Sequence, residues 1–441
     1  MPIAPVITTT REVHVPTVTS SQKQPVPGAI KRLLAGLGPG VITGAADDDP
    51  SGIATYSIAG AQLGTSLLWT ALVTWPLMAV VQMMCARIGM VTGQGLAGAL
   101  RTKFPKWTLV VAALLLLAAN TINVGADLAG MADAAEMLTG ISSHLFVVFF
   151  GTAIGLATIF LPYHRIAGTL KWLTLSLFAY VVTAFAVGID WSSVLKDALR
   201  PSMPNGAEAW ATLVAILGTT ISPYLFFWQA SQEVEEEKGM GRQMLATRLG
   251  ATRKELIDRK IDVGLGTFFS NLIMFFIILT TAVTLHRHGL THIETSRQAA
   301  EALRPLAGAF AATLYTVGIL GVGLLAIPTL TGSAAYALAE TLGWQEGLNE
   351  RFGDAKYFYG VVILSTVVGI CLDFARVSPV RALFLTAVIN GLLAPFLLVG
   401  ILIAASDSKL MQGQPSSILS RVIVAATALV MIAAGVGMFV F

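Results

Sequence analysis

Ala45-Ala46-Asp47-Asp48-Asp49-Pro50-Ser51-Gly52 interrupts an apolar stretch that runs from about Ala35 to Gly64. Counted from Leu34 at roughly 1.5 Å per helical residue, the aspartates lie about 20 Å in, near the centre of a bilayer. Charged groups at that depth are costly, so they face an aqueous cavity and mark an ion or substrate path. Pro50 removes a backbone donor and Gly52 tolerates unusual backbone angles, so the spacing predicts a helix that breaks here. Broken helices at mid-membrane are one way to build a binding site. The competing reading, an acidic run that merely caps a helix end, would put a turn of loop at mid-membrane.

The rest of the chain agrees with a membrane setting. Of its 441 residues, 55% are hydrophobic and 12% charged, and the mean hydropathy is +0.74. This predicts an all-α polytopic membrane protein surrounded by lipid. Cys85 and Cys371 lie in separate apolar spans, which argues against a disulfide framework or a cysteine metal site. A net charge of +3 is too small to indicate nucleic acid, and no obligate protein partner or resident cofactor is indicated. Residues 1–30 read as a disordered cytoplasmic tail without a cleavable signal, ahead of a single transporter-like domain over 31–441.

Eleven apolar segments are long enough to span: 34–64, 67–92, 107–137, 145–163, 166–189, 208–232, 260–285, 307–340, 357–373, 380–404 and 418–440. The eighth is long enough to contain a kink. With the N-terminus inside, 21 of the 28 Lys and Arg fall on the inner side, so the expected topology is N-in and C-out. A second break is expected at Gly218-Thr219-Thr220-Ile221-Ser222-Pro223-Tyr224. Pro50 and Pro223 each open a set of five helices, about 34–189 and 208–404, followed by an extra helix at 418–440. An odd number of helices per set inverts the second set, which is the pattern of an inverted-repeat transporter with its site between two broken helices.

Gly38-Pro39-Gly40 followed by Asp49-Pro50-Ser51-Gly52 resembles the first helix of the NRAMP divalent-metal transporters, where Gly-Pro-Gly precedes Asp-Pro-Gly-Asn. The likeness runs from about Arg32 along nearly the whole chain. It includes Asn120 to Ala129, Asp262 with Asn271, and Asn390-Gly391-Leu392-Leu393-Ala394-Pro395-Phe396. It implies the LeuT-type fold of five-plus-five inverted helices with an eleventh, and a bacterial cytoplasmic-membrane location.

The departures from the family pattern bear on function. The family's metal-binding Asp maps onto Asp49, with Asp48 and Asp47 as cavity-lining or outer-shell groups, but its Asn partner becomes Gly52. In the sixth helix the family's Met becomes Ser222 and its His becomes Tyr224. No methionine lies from Ala209 to Lys238 or from Leu34 to Ala71. The remaining donors are oxygens: carboxylates, the Ser222 hydroxyl (which more often bonds its own backbone), and the Thr219 carbonyl freed by Pro223. Such a site suits Mg²⁺, with Mn²⁺ or Ca²⁺ also fitting, and its small residues leave room for a partly hydrated ion. This resembles the NRAMP-related magnesium transporters.

Proton coupling looks impaired. The family's paired Asp and Glu on the third helix become Asp127 and Gly130, and all six histidines map to the tail, loops or helix ends. Asp127 is read as relay or structural, and Asn390 as pathway lining or helix-packing glue. Glu233-Val234-Glu235-Glu236-Glu237 reads as a solvated helix end, and His286, Arg287, His288 and His292 as an interfacial loop. The expected function is therefore uncoupled import of a divalent cation. Proton-coupled Mn²⁺ or Fe²⁺ uptake is the alternative. A sodium-coupled amino-acid carrier of the same fold is disfavoured, because the aspartates repel a substrate carboxylate. No nucleophile–base arrangement points to an enzyme.

Overall fold

Proline and glycine decide where the first helix stops and restarts. In the computed structural model, which describes residues 38–161, 173–203, 206–375 and 378–441, helix α1 covers Pro39–Asp47 and α2 covers Pro50–Leu63. The second break separates α7 (Ala207–Thr220) from α8 (Pro223–Gly239). Each second half begins with its proline at the first helical position, where a missing N–H costs nothing.

The remaining spans are α3 (Trp69–Thr92), α4 (Lys106–Thr139), α5 (Ser143–Phe160), α6 (Phe178–Ala186), α9 (Arg253–Thr284), α10 (Ala311–Leu342), α11 (Lys356–Leu372), α12 (Pro379–Ser406) and α13 (Ile418–Val440). Among the described residues, eight helices are long and apolar enough to cross a membrane, counting α7 and α8 as one. The shorter α6 and α11 and the α1–α2 pair account for the rest of the eleven segments. The tail 1–30, with His14, lies outside the described residues, as do His164 and the start of the fifth expected span. The described part of that span is shorter than expected and ends at Ala186. The long eighth segment is one continuous helix, α10, with Pro328 inside it.

Helix α1 packs on α9, α8 packs on α3, and the central α4 packs against α10. Glycine allows the first of these contacts. A Cβ on Gly44 would lie 2.4 Å from the Gly266 carbonyl on α9, and one on Gly266 would lie 2.3 Å from the Gly40 carbonyl. Backbones therefore touch, as in small-residue helix crossings in membranes. The same device joins α7 to α12, where a Cβ on Gly391 would sit 2.4 Å from the Val214 carbonyl.

A carboxylate finishes the docking of α1. Asp262 on α9 accepts hydrogen bonds from the backbone N–H groups of Gly38 (2.9 Å), Gly40 (2.8 Å) and Val41 (3.2 Å). The Gly-Pro-Gly motif thus presents the positive end of a helix to a buried anion. Arg259 holds Asp262 on the other side and also pairs with Glu233 and Glu236 on α8. This corrects the expectation of a solvated helix end: Glu233 is 1% exposed and ion-paired, and Glu237 is buried as well. Replacing Gly266 with Leu forces α1 off α9 and is expected to cost about 1–3 kcal/mol. A melting curve of the detergent-solubilised variant checks this; an unshifted midpoint would show that the two backbones are not in contact.

Candidate functional site

At the first break the three aspartates part company. Asp47 ends α1, Asp48 turns the chain with φ −80° and ψ 50°, and Asp49 becomes the N-cap of α2 with φ −67° and ψ 170°. The unwound backbone sends the side chains in different directions. Asp47 and Asp48 both face Ser270 on α9, whose hydroxyl donates to Asp47 Oδ2 at 2.6 Å and lies 3.3 Å from Asp48 Oδ1. Asp49 faces away from them. Its Oδ1 accepts the Gly52 N–H at 2.7 Å, and its Oδ2 accepts from Asn123 Nδ2 at 3.1 Å and from the Tyr224 hydroxyl at 3.5 Å. Among the described residues, no three or more His, Cys, Asp or Glu side chains converge on one point. Asp49, expected as the ion's anchor with Asp48 and Asp47 lining the cavity, stands with neutral groups.

Each proline frees a carbonyl four residues back, and each freed carbonyl has found a hydroxyl. Pro50 frees Ala46, whose oxygen accepts from Tyr224 at 3.0 Å. Pro223 frees Thr219, whose oxygen accepts from Ser222 Oγ at 2.7 Å; the same hydroxyl also reaches the Gly218 oxygen at 2.8 Å. Ser222 sits at the N-cap of α8 yet does not cap it, because its proton is turned back to α7. The Thr219 carbonyl, expected to be open, is thus partly satisfied. A carbonyl has two lone pairs, so both oxygens keep one acceptor position.

Open acceptors remain around this pair of breaks. Thr219 Oγ1 has no hydrogen bond of ordinary geometry, although it faces the Tyr56 hydroxyl. Asn123 Oδ1 and Asp47 Oδ1 are likewise buried without partners. Gly52 lies between the two halves: a Cβ there would be 3.1 Å from Thr219 Oγ1 and 3.5 Å from Asp49 Oδ1. The absent side chain leaves the space between Asp49 and Thr219 to something smaller. Asp127, one turn beyond Asn123 on α4, has neither carboxylate oxygen in an ordinary hydrogen bond, with the Ser51 amide on that side. Asn390 is 2% exposed on α12 with its Oδ1 unpartnered.

The electrostatic situation is unusual. Asp47, Asp48, Asp49 and Asp127 are each no more than 5% exposed. None of the ion pairs among the described residues involves any of them. Buried anions need a cation or protons to balance them. None of the described histidines supplies that charge: His144 pairs with Asp373, His286 meets the Ala61 carbonyl, His288 the Thr284 carbonyl, and His292 forms no ion pair with these aspartates.

Sequence reasoning passed over two contributors, Asn123 and Ser270. Asn123 had a signal, because it stands four residues before Asp127 on one face of an apolar helix. Ser270 had none beyond its neighbour Asn271. The sulfurs of Met78 and Met274, on α3 and α9, lie 3.5 Å from Asn271 Nδ2 and 3.9 Å from Thr74 Oγ1.

The sequence model of the family described as natural resistance-associated macrophage protein-like matches residues 40–441. A divalent metal cation transporter MntH of Klebsiella pneumoniae is 28% identical over 396 residues, 87% of this chain and 88% of its own. Its namesake in Caldanaerobacter subterraneus is 25% identical over 407 residues, 89% of this chain and 90% of its own. Among solved structures, a manganese transporter of Eremococcus coleocola superimposes with a TM-score of 0.69 at 18% identity, covering 95% of this chain and 90% of that one. Mhp1, a nucleobase-cation-symport-1 family transporter, superimposes at 0.57 with 15% identity over 91% of each chain. These likenesses place the fold in the expected LeuT-type group.

Asp49→Asn separates the cap of α2 from the carboxylate charge. Asparagine is an equally good N-cap, so α2 keeps its start, while the carboxylate charge is lost. The variant is expected to fold and melt like the parent but to lose divalent-cation binding, read by calorimetry with Mn²⁺ as the probe. Retained binding would remove Asp49 from the ion's contacts. Tyr224→Phe leaves the buried Ala46 carbonyl without its donor and is expected to lower stability by about 1–3 kcal/mol, read from the melting midpoint.

Proposed function

Because the chain belongs to the natural resistance-associated macrophage protein-like family, we propose that it is a facilitator carrying Mg²⁺ and Mn²⁺, partly hydrated, into bacteria across the cytoplasmic membrane without proton coupling. The carrying observation is the set of four buried carboxylates, Asp47, Asp48, Asp49 and Asp127, with no basic partner among the described residues. An anionic cavity of this kind attracts cations and repels carboxylate substrates.

The donors point to a hard ion. Asp49, the carbonyls of Ala46 and Thr219, and the hydroxyls of Thr219 and Ser222 are all oxygens. A single nearby carboxylate with neutral oxygens, beside the space left at Gly52, suits an ion that keeps part of its water. Softer metals gain most from thioether or imidazole ligands, and Met78 and Met274 are turned to Asn271 and Thr74.

Two observations support the uncoupled reading. A Cβ on Gly130 would lie 2.9 Å from Leu383 Cδ1, so apolar packing stands where a second relay carboxylate would project. Tyr224 is committed to the Ala46 carbonyl. Import then follows the electrochemical gradient, at about 2.3 kcal/mol per charge per 100 mV. The basic residues gathered between the expected spans favour an inside N-terminus and an outside C-terminus. The unpartnered Asp127 carboxylate is the observation that favours the proton-coupled alternative.

Proteoliposomes with an imposed, interior-negative potential decide between these. Mg²⁺ and Mn²⁺ are expected to enter while lumenal pH stays constant. Acidification that tracks metal entry would establish coupling, and passage of Mn²⁺ but not Mg²⁺ would defeat the hydrated-ion assignment.

A further inference from the structure

A groove of about 840 Å³, lined by none of the four buried aspartates, opens between α3, α9 and the segment that leads into α13. Its walls are apolar, with Met83 and Val80 on α3, Ile257 on α9 and Leu419 on α13 among them. Ile257 and Leu419 are 48% and 69% exposed, so this wall faces lipid rather than protein. Its mouth is basic. Arg87, Arg253 and Lys260 all line the groove, and none has a carboxylate at ion-pair distance among the described residues. Arg87 donates through Nε to the Gln414 carbonyl at 3.1 Å, which orients the guanidinium and leaves its terminal nitrogens for another acceptor.

Two further features meet at the same place. Ser416 lines the groove, is 4% exposed, and its hydroxyl has no hydrogen-bond partner. Ser417 and Ser420, also in the lining, form the first turn of the 23-residue helix α13, whose positive end therefore faces the groove. Three uncompensated cations, a buried hydroxyl and a helix N-terminus form one anion-recognising mouth above an apolar trough. A phosphodiester with two acyl chains matches both parts, and a zwitterionic headgroup matches the charge less well.

We infer that this groove is a selective site for an anionic glycerophospholipid of the phosphatidylglycerol type. Its phosphodiester lies among Arg87, Arg253, Lys260 and Ser416, and its acyl chains run along Met83, Ile257 and Leu419. The site is independent of the transported ion.

The test is native mass spectrometry of the full chain in detergent, titrated with phosphatidylglycerol or phosphatidylcholine of the same acyl chains. The parent protein is expected to prefer phosphatidylglycerol. Arg253→Gln with Lys260→Gln, both solvent-facing changes, is expected to weaken phosphatidylglycerol binding about thirtyfold and to leave phosphatidylcholine binding unchanged. Gly264→Phe fills the trough without touching the charges and is expected to weaken both lipids. Equal affinity for the two lipids, or an undiminished preference in the double variant, overturns the assignment. So does competition by inorganic phosphate that matches the lipid itself, because the trough would then contribute nothing.

Discussion

A helix interrupted inside a membrane must satisfy its freed backbone groups within the protein, because lipid offers no hydrogen bonds. That constraint organises this structure. Pro50 and Pro223 each create a carbonyl without its helical donor, and a hydroxyl answers each one: Tyr224 reaches Ala46 across the interface, and Ser222 turns back to Thr219. Asp49 answers the other side of the first break by capping α2. The two broken helices are therefore stitched together as well as individually closed.

Charge separation follows from the same break. A continuous helix would turn three adjacent aspartates about 100° apart, still crowded along one short segment. The unwound backbone instead sends Asp47 and Asp48 to Ser270 on α9 and Asp49 to Asn123 and Tyr224. One carboxylate, Asp49, remains among neutral groups. Docking of α1 sets this geometry from a distance. The glycine contact with Gly266 and the Asp262 clasp on the Gly-Pro-Gly amides hold the first half-helix on α9, and the second packs on α9 and α12.

Much of the architecture was legible in the chain. Long apolar runs and two mid-span prolines are local or periodic features that do not depend on exact helix ends. The fifth span and the acidic end of α8 were read less well. Glu233 looks solvated in sequence because nothing nearby in the chain neutralises it; its partner Arg259 arrives from α9. Asn123 and Ser270 were missed for the same reason, since each acts on a residue more than 70 positions away.

The sequence alone determined that the chain crosses a membrane many times, that it breaks twice at proline, and that carboxylate and hydroxyl oxygens gather at those breaks. These are properties of composition and of single backbone positions. Only the tertiary structure decided which aspartate stands apart, where the freed carbonyls find their donors, and that Gly52 opens space beside Thr219 rather than merely loosening a turn. Those outcomes depend on helices that meet in space across long stretches of chain, and no local pattern encodes which hydroxyl reaches which carbonyl.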